Sequence, residues 1–225
     1  IDFMKKTVNA YFLQGLRNQL VALLKEKGIT DEKVLEAIRA IPRHYFLDSA
    51  FSKIAYEDRA FPIDADQTIS QPYTVAFQSQ LLKIKKGDKV LEIGTGSMYQ
   101  TAILAALGAK VYTIERQKLL FEKTTAFKNV FGDEFPDVYF SFGDGFEGLP
   151  EFAPFDKIII TAAAPKVPEK LWEQLKVKGI MVIPLDESEN AQRMLRLTKK
   201  KDGLAKRESF EQFSFVPMLQ GKSQS

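Results

Sequence analysis

Apolar residues recur at helical spacing between residues 9 and 27, where Phe12, Leu16, Leu20, Leu23 and Leu24 follow at intervals of four, four, three and one. That stripe predicts an amphipathic helix, with Gly28 as its C-cap. Thr30 then precedes Asp31, Glu32 and Lys33, which predicts a second helix carrying Val34, Ile38 and Ile41 on one face as far as Pro42. Both helices read as a cover over something else. From Arg43 to Ser79 the period is lost, and aromatic, acidic and hydroxyl side chains mix. An irregular working surface is expected there.

The middle of the chain changes rhythm. Residues 89–93, 110–114, 138–142, 157–161 and 180–185 are short apolar runs suited to buried strands. Helical stretches at 99–107, 117–130 and 168–176 separate several of them. Strands alternating with helices predict an α/β fold, a doubly wound and mainly parallel sheet covered on both faces with right-handed crossovers. Residues 192–198 and 209–215, joined by Lys199-Lys200-Lys201-Asp202-Gly203, predict a late antiparallel β addition. With 225 residues and no repeat or long linker, the expectation is a single domain over 1–225. Within it, 1–80 form the helical cover and loop region, 81–185 an α/β core and 186–225 a β-rich segment.

Composition narrows the chemistry. The chain has no cysteine and one histidine, which removes disulfides, thiolate nucleophiles and Cys-ligated metals and leaves little for a histidine metal site. No metal is expected. The net charge of +3 is small and dispersed, so no nucleic-acid partner is expected, and the basic run 199–201 reads as a solvated hairpin tip. No apolar run approaches the ~18 residues of a membrane span, and residues 1–24 are interrupted by Asp2, Lys5, Lys6, Gln14 and Arg17. Neither a signal peptide nor a membrane association is expected, and the compartment read from this is the cytoplasm.

The strongest chemical signal is Gly94-Thr95-Gly96-Ser97, a Gly-x-Gly turn directly after a predicted strand and before a predicted helix. In open α/β sheets such a turn lets backbone approach a nucleotide-like ligand at the carboxyl ends of the strands. Glu115 follows Gly94 by 21 residues at the end of the next strand, where an acid can accept hydrogen bonds from ribose hydroxyls. Either feature alone is commonplace, an ordinary turn or a solvated acid; their joint spacing points to a site. A dinucleotide fingerprint would want a third glycine where Tyr99 stands, so a nucleoside without phosphates, S-adenosylmethionine in particular, fits better. Gly143-Asp144-Gly145 after the third strand supplies a further acidic turn that could face the adenine.

A more particular signal lies upstream. Ile41-Pro42-Arg43-His44 with Phe46, Ala55-Tyr56-Glu57-Asp58, Gln67-Thr68-Ile69-Ser70-Gln71-Pro72-Tyr73 and the strand-turn segment 90–97 with Tyr99-Gln100 occur in this order. Gly143-Asp144-Gly145 with Gly148, Ala153-Pro154-Phe155-Asp156, Thr161-Ala162-Ala163 with Pro165 and Phe215-Val216-Pro217 follow. With these segments the chain resembles the protein-L-isoaspartate O-methyltransferases over nearly its whole length.

The resemblance implies a Rossmann-like methyltransferase fold, and methyl transfer from S-adenosylmethionine to the α-carboxylate of L-isoaspartyl residues in damaged proteins. S-adenosylhomocysteine would be the product, and the ester would cyclise to a succinimide, initiating repair. It implies Ser70 as the catalytic residue. Thr68, Ile69, Gln71, Glu92, Gly94, Thr95, Gly96, Ser97, Glu115, Asp144 and Gly145 are implied around the cofactor, and Asp66, Pro72, Tyr73 and Val216 at the substrate. The partners would be isoaspartyl proteins and peptides, met by a monomer.

The residue inventory suits that chemistry. A carboxylate with a reference pKa near ~4 is already ionised at neutral pH, so no strong base is required. Ser70 is expected to orient the acceptor by hydrogen bonding, without a covalent intermediate. Met98 stands where relatives carry glycine, as do Asp64, Lys178 and Asp186, and Ser214 replaces a frequent arginine. Two alternatives stay open: another carboxylate acceptor, or a non-catalytic homologue whose cofactor site Met98 closes.

Overall fold

The apolar runs of the middle segment assemble side by side in the computed structural model of the chain, which describes residues 10–131, 135, 137–188 and 191–224. Helices α1 (Ala10–Glu26) and α2 (Glu32–Ala40) lead the chain, and a two-residue antiparallel pair, β1 (Phe61–Pro62) and β2 (Thr68–Ile69), follows. Then come α3 (Pro72–Leu82), β3 (Lys89–Ile93), α4 (Tyr99–Ala106), β4 (Lys110–Glu115), α5 (Lys118–Phe131) and β5 (Val138–Phe142). The chain continues through β6 (Phe155–Ile160), α6 (Glu169–Glu173), β7 (Leu175–Ser188), β8 (Ala191–Lys199) and β9 (Ala205–Phe213).

Strands β3 to β9 form one sheet in the order β5-β4-β3-β6-β7-β8-β9. The first five are parallel, and β8 and β9 are antiparallel, as the alternation of strand and helix signals predicts. The chain steps outward from β3 through β4 to β5 and then returns to the far side of β3 as β6. Between β3 and β6 lies the topological switch point, where an open α/β sheet leaves a crevice for a ligand.

The central strands β3 and β6 are buried on both faces, which is why they read as nearly unbroken apolar runs, whereas the edge strand β9 is mostly exposed. On β6, Ile159 joins one core cluster while Ile158 and Ile160 join the other; on β3, Val90 and Leu91 divide the same way. Burying one such aliphatic side chain contributes roughly 1.5–3 kcal/mol. Among the described residues no helix is long and apolar enough to cross a membrane.

Three elements depart from the sequence reading. A regular helix, α3, lies inside the stretch expected to be irregular. Nine of its eleven residues are buried, so it has no polar face and no 3.6-residue alternation to detect. The helix expected over 168–176 stops at Glu173, because Leu175 already pairs with Phe155 at the start of a long β7. Finally, β9 occupies Ala205–Phe213, earlier than 209–215, because the ladder with β8 spans those residues. Beyond it the chain turns back toward β6, where the Ala163 N–H donates to the Val216 carbonyl and the Met218 N–H to the Ala163 carbonyl.

Candidate active site

The turn after β3 is built by unusual backbone. Gly94 and Gly96 have φ of +96° and +52°, and Met98, the N-cap of α4, has φ of +73°. A side chain at Gly94 would place Cβ 2.6 Å from the Thr161 hydroxyl, and one at Gly145 would place it 2.5 Å from Ile93, so both glycines are sterically required. Glu115, nearly buried, holds the turn: its carboxylate accepts the Gly96 N–H at 2.9 Å and the Gln117 N–H at 2.8 Å. The hydroxyls of Thr95 and Thr113 meet beneath it at 2.7 Å.

The second wall is the segment from β2 into α3. Ile69 is buried and paired with Phe61, which turns its neighbours Thr68 and Ser70 toward the open side. Ser70 sits immediately before Gln71, the N-cap of α3, whose own side chain does not cap the helix. Asp58 performs that task from fifteen residues away, accepting the Tyr73 N–H at 2.8 Å, while its backbone carbonyl accepts the Gln71 side-chain amide at 3.0 Å. Lys27 closes the cluster with an ion pair of 2.6 Å to Asp58.

Two depressions meet at this wall. One, the inner cleft, runs over the 94–97 turn to Glu115 and Gly145; the other, the outer groove, runs between Tyr73 and the end of β9. Thr68, Ser70, Thr161 and Val216 line both.

The inner cleft brings together Thr68, Ile69, Ser70, Gly94, Thr95, Gly96, Ser97, Glu115 and Gly145. Three residues expected with them stand elsewhere. Glu92 is fully buried below the turn, where Thr101 donates to it at 2.5 Å, because its position on β3 points it into the sheet's cover. Burial raises its pKa to about 8, against the pull of the Thr101 hydroxyl and with a smaller push from the charge of Glu115. Asp144 braces the chain instead of lining the cleft, accepting the Phe146 and Gly221 N–H groups. Gln71 lines the outer groove, with its amide held by Asp58.

Of the expected substrate residues, Tyr73 and Val216 line the outer groove. Pro72 is buried as the first residue of α3, and Asp66 is exposed in the β1–β2 turn with φ of +54°, outside both depressions.

Thr161, Tyr99 and Gln100, which the sequence reading quotes as parts of the resembling segments without a site role, all line the inner cleft. Gln100 donates to Ser79 at 2.9 Å while its Oε1 is buried without a partner. Tyr99 carries the Arg43 guanidinium 4.9 Å from its ring centroid. Arg43 is fully buried, its Nε donates to the Ala55 carbonyl at 3.1 Å, and burial lowers its pKa to about 10. Position immediately after the Gly-x-Gly turn is the available signal for Tyr99 and Gln100, and for Thr161 it is its place in the Thr161-Ala162-Ala163 segment at the end of a predicted strand.

Met98 does not close the cleft. Its side chain is fully buried in the core cluster beneath α4, and it lines neither depression. The lone histidine also stands apart: His44 Nδ1 lies 2.7 Å from the Tyr56 hydroxyl, and burial, helped by the charge of Arg17, lowers its pKa to about 4.

Comparison with known proteins agrees with this architecture. Residues 15–223 match the family described as Protein-L-isoaspartate(D-aspartate) O-methyltransferase (PCMT). A protein-L-isoaspartate O-methyltransferase of Christiangramia forsetii is 57% identical over 215 residues, covering 96% of this chain and 99% of that protein. A solved protein-L-isoaspartate O-methyltransferase superposes with a TM-score of 0.79 at 29% identity, over 89% of this chain and 65% of the other. A Plasmodium falciparum structure solved in complex with S-adenosyl-L-homocysteine shares the fold, with a TM-score of 0.78 at 24% identity over 90% of this chain and 98% of that one.

Proposed function

The chain belongs to the protein-L-isoaspartate(D-aspartate) O-methyltransferase family, and from that premise we propose that it methylates the α-carboxylate of L-isoaspartyl residues in damaged proteins. The observation that carries the reading is the junction of the two depressions at Thr68, Ser70, Thr161 and Val216. A methyl donor in the inner cleft and an isoaspartyl peptide in the outer groove would meet there and nowhere else.

The inner cleft fits S-adenosylmethionine. Glycine backbone at Gly94, Gly96 and Gly145 leaves room where any Cβ would intrude or strain the turn. The Glu115 carboxylate, with two backbone donors already on it, keeps further lone pairs for a ribose diol. The unpartnered Oε1 of Gln100 offers an acceptor in the same wall. When bound, S-adenosylmethionine supplies a methyl group on a sulfonium and departs as S-adenosylhomocysteine.

The protein's part is positioning. The acceptor carboxylate is ionised without help, so the chain must align it and exclude competing geometry, which can lower a barrier by roughly 7–11 kcal/mol in favourable cases. Ser70 donates a hydrogen bond to the carboxylate and holds one oxygen toward the inner cleft. Asp58 keeps Ser70 in place through Gln71 and Tyr73. The transfer would exchange the donor's carbon–sulfur bond for a carbon–oxygen bond to the carboxylate, so no residue of the chain would have to take up or give a proton. The methyl ester then cyclises to a succinimide, whose hydrolysis returns part of the material to aspartate.

Damaged proteins and peptides are the partners in this reading, met by a monomer in the cytoplasm, a compartment that a cysteine-free chain suits. The test is methyl transfer from labelled S-adenosylmethionine to an L-isoaspartyl peptide and to its aspartyl twin. Label confined to the isoaspartyl peptide is expected; equal label in both, or none from folded protein, would overturn the proposal.

A further inference from the structure

Two charged side chains line the outer groove, Lys27 from the end of α1 and Glu211 from β9. They are not equivalent. The Lys27 ammonium pairs with Asp58 at 2.6 Å and lies 4.4 Å from the Tyr73 ring centroid, so its charge is balanced within the protein. Glu211 is exposed and accepts a hydrogen bond from the Tyr73 hydroxyl, and among the described residues it has no ion-pair partner. The other acids nearby are satisfied. Glu208, on the same strand, pairs with Arg196 at 2.8 Å, and Glu187 pairs with Arg193 at 2.7 Å. With the Lys27–Asp58 pair cancelled, Glu211 leaves the groove one negative charge that no described residue compensates.

The surroundings give that charge a fixed address. Tyr73 stacks on Phe213 with centroids 6.1 Å apart and planes at 16°, and Phe77 packs against both rings. This aromatic wall holds the Tyr73 hydroxyl, and with it Glu211, in the same groove that Ser70 lines. A carboxylate held at one place meets a passing charge at a defined separation, and the exposed Glu211 does so through water.

We infer that Glu211 is a specificity-determining residue that selects isoaspartyl peptides carrying lysine or arginine beside the damaged site and disfavours those carrying aspartate or glutamate there. The inference rests on the proposed activity for its choice of ligand. At separations near ~6 Å and with the screening of water, which suits an exposed carboxylate, replacing a cationic neighbour by an anionic one changes affinity about ten-fold. The effect fades with salt, since the screening length falls from about 30 Å at 0.01 M to about 3 Å at 1 M.

The experiment uses the full chain and six fluorophore-labelled isoaspartyl peptides, with Lys, Gln or Glu immediately before or immediately after the isoaspartate. Affinity is read by fluorescence anisotropy at low and high salt, and methyl transfer to the same peptides is measured separately. Glu211→Gln is run beside the wild type, because glutamine still accepts from the Tyr73 hydroxyl while removing the charge. In at least one series the wild type should rank Lys over Gln over Glu, spanning about ten-fold at low salt. That span should shrink to within about two-fold in E211Q and at high salt. A flat ranking in both wild-type series, or an order that survives in E211Q, would overturn the inference. Absence of methylation with the charge order intact would count against the proposed activity alone.

Discussion

The Asp58 carboxylate accepts the backbone N–H of Tyr73 at 2.8 Å, and so caps a helix from fifteen residues upstream while its own charge is held by Lys27. Ser70 is fixed between these anchors, before the helix and after β2. Loss of an N-cap acceptor costs about 0.5–2 kcal/mol. Asp58→Ala is expected to lower unfolding free energy by about 1–2 kcal/mol and to reduce kcat/KM for the isoaspartyl peptide more than it weakens S-adenosylhomocysteine binding. Asp58→Asn keeps an acceptor and should recover most of the stability. Denaturant titration and calorimetry on the two variants check this; equal losses in both would show that the ion pair, and not the cap, matters.

Ser70 lines both depressions and is assigned the role of orienting the acceptor. A hydrogen bond to a charged group contributes about 1.5–3 kcal/mol, so Ser70→Ala should lower kcat/KM by roughly ten- to hundred-fold and leave measurable transfer. Steady-state kinetics with the isoaspartyl peptide decides. Activity falling to background would point to a more direct chemical role for the hydroxyl.

Met98 sets two effects against each other. Its φ of +73° strains a side-chain-bearing residue by roughly 1–2 kcal/mol, whereas its fully buried side chain contributes more, since emptying such a site costs about 2–5 kcal/mol. Packing wins. Met98→Gly is therefore expected to destabilise the protein by about 1–3 kcal/mol and to leave S-adenosylhomocysteine affinity unimproved. Thermal melts with and without that ligand test it, and a glycine variant that is more stable or binds more tightly would refute the balance.

Glu92 carries a pKa raised to about 8 by burial, from an ordinary value of 4.5. The native state thus holds this proton more tightly than the unfolded chain does. Its stabilising contribution is complete below pH 4.5 and is lost as pH rises through about 8. Glu92→Gln, which resembles the protonated acid, should gain stability relative to the wild type as pH increases across that window. Chemical denaturation at several pH values measures the difference; parallel curves for the two proteins would show that Glu92 is charged when folded.

Much of this molecule was legible in the order of its residues. Buried parallel strands need apolar runs, and a Gly-x-Gly turn followed by Glu115 needs a particular spacing, so the sheet, its antiparallel edge and most of the inner cleft could be located before any coordinates. These are local demands, met by residues close together in the chain. Helix α3 was not legible, because an element buried on nearly all sides carries no amphipathic period. Only the tertiary structure could show which partners the Glu92 and Asp144 carboxylates take up, since which way a residue in a strand or turn faces depends on what packs against it. The same holds for the outer groove. Lys27, Asp58, Tyr73 and Glu211 come from four separate segments, and no local pattern records that folding cancels one pair of charges and leaves Glu211 without an ion-pair partner among the described residues.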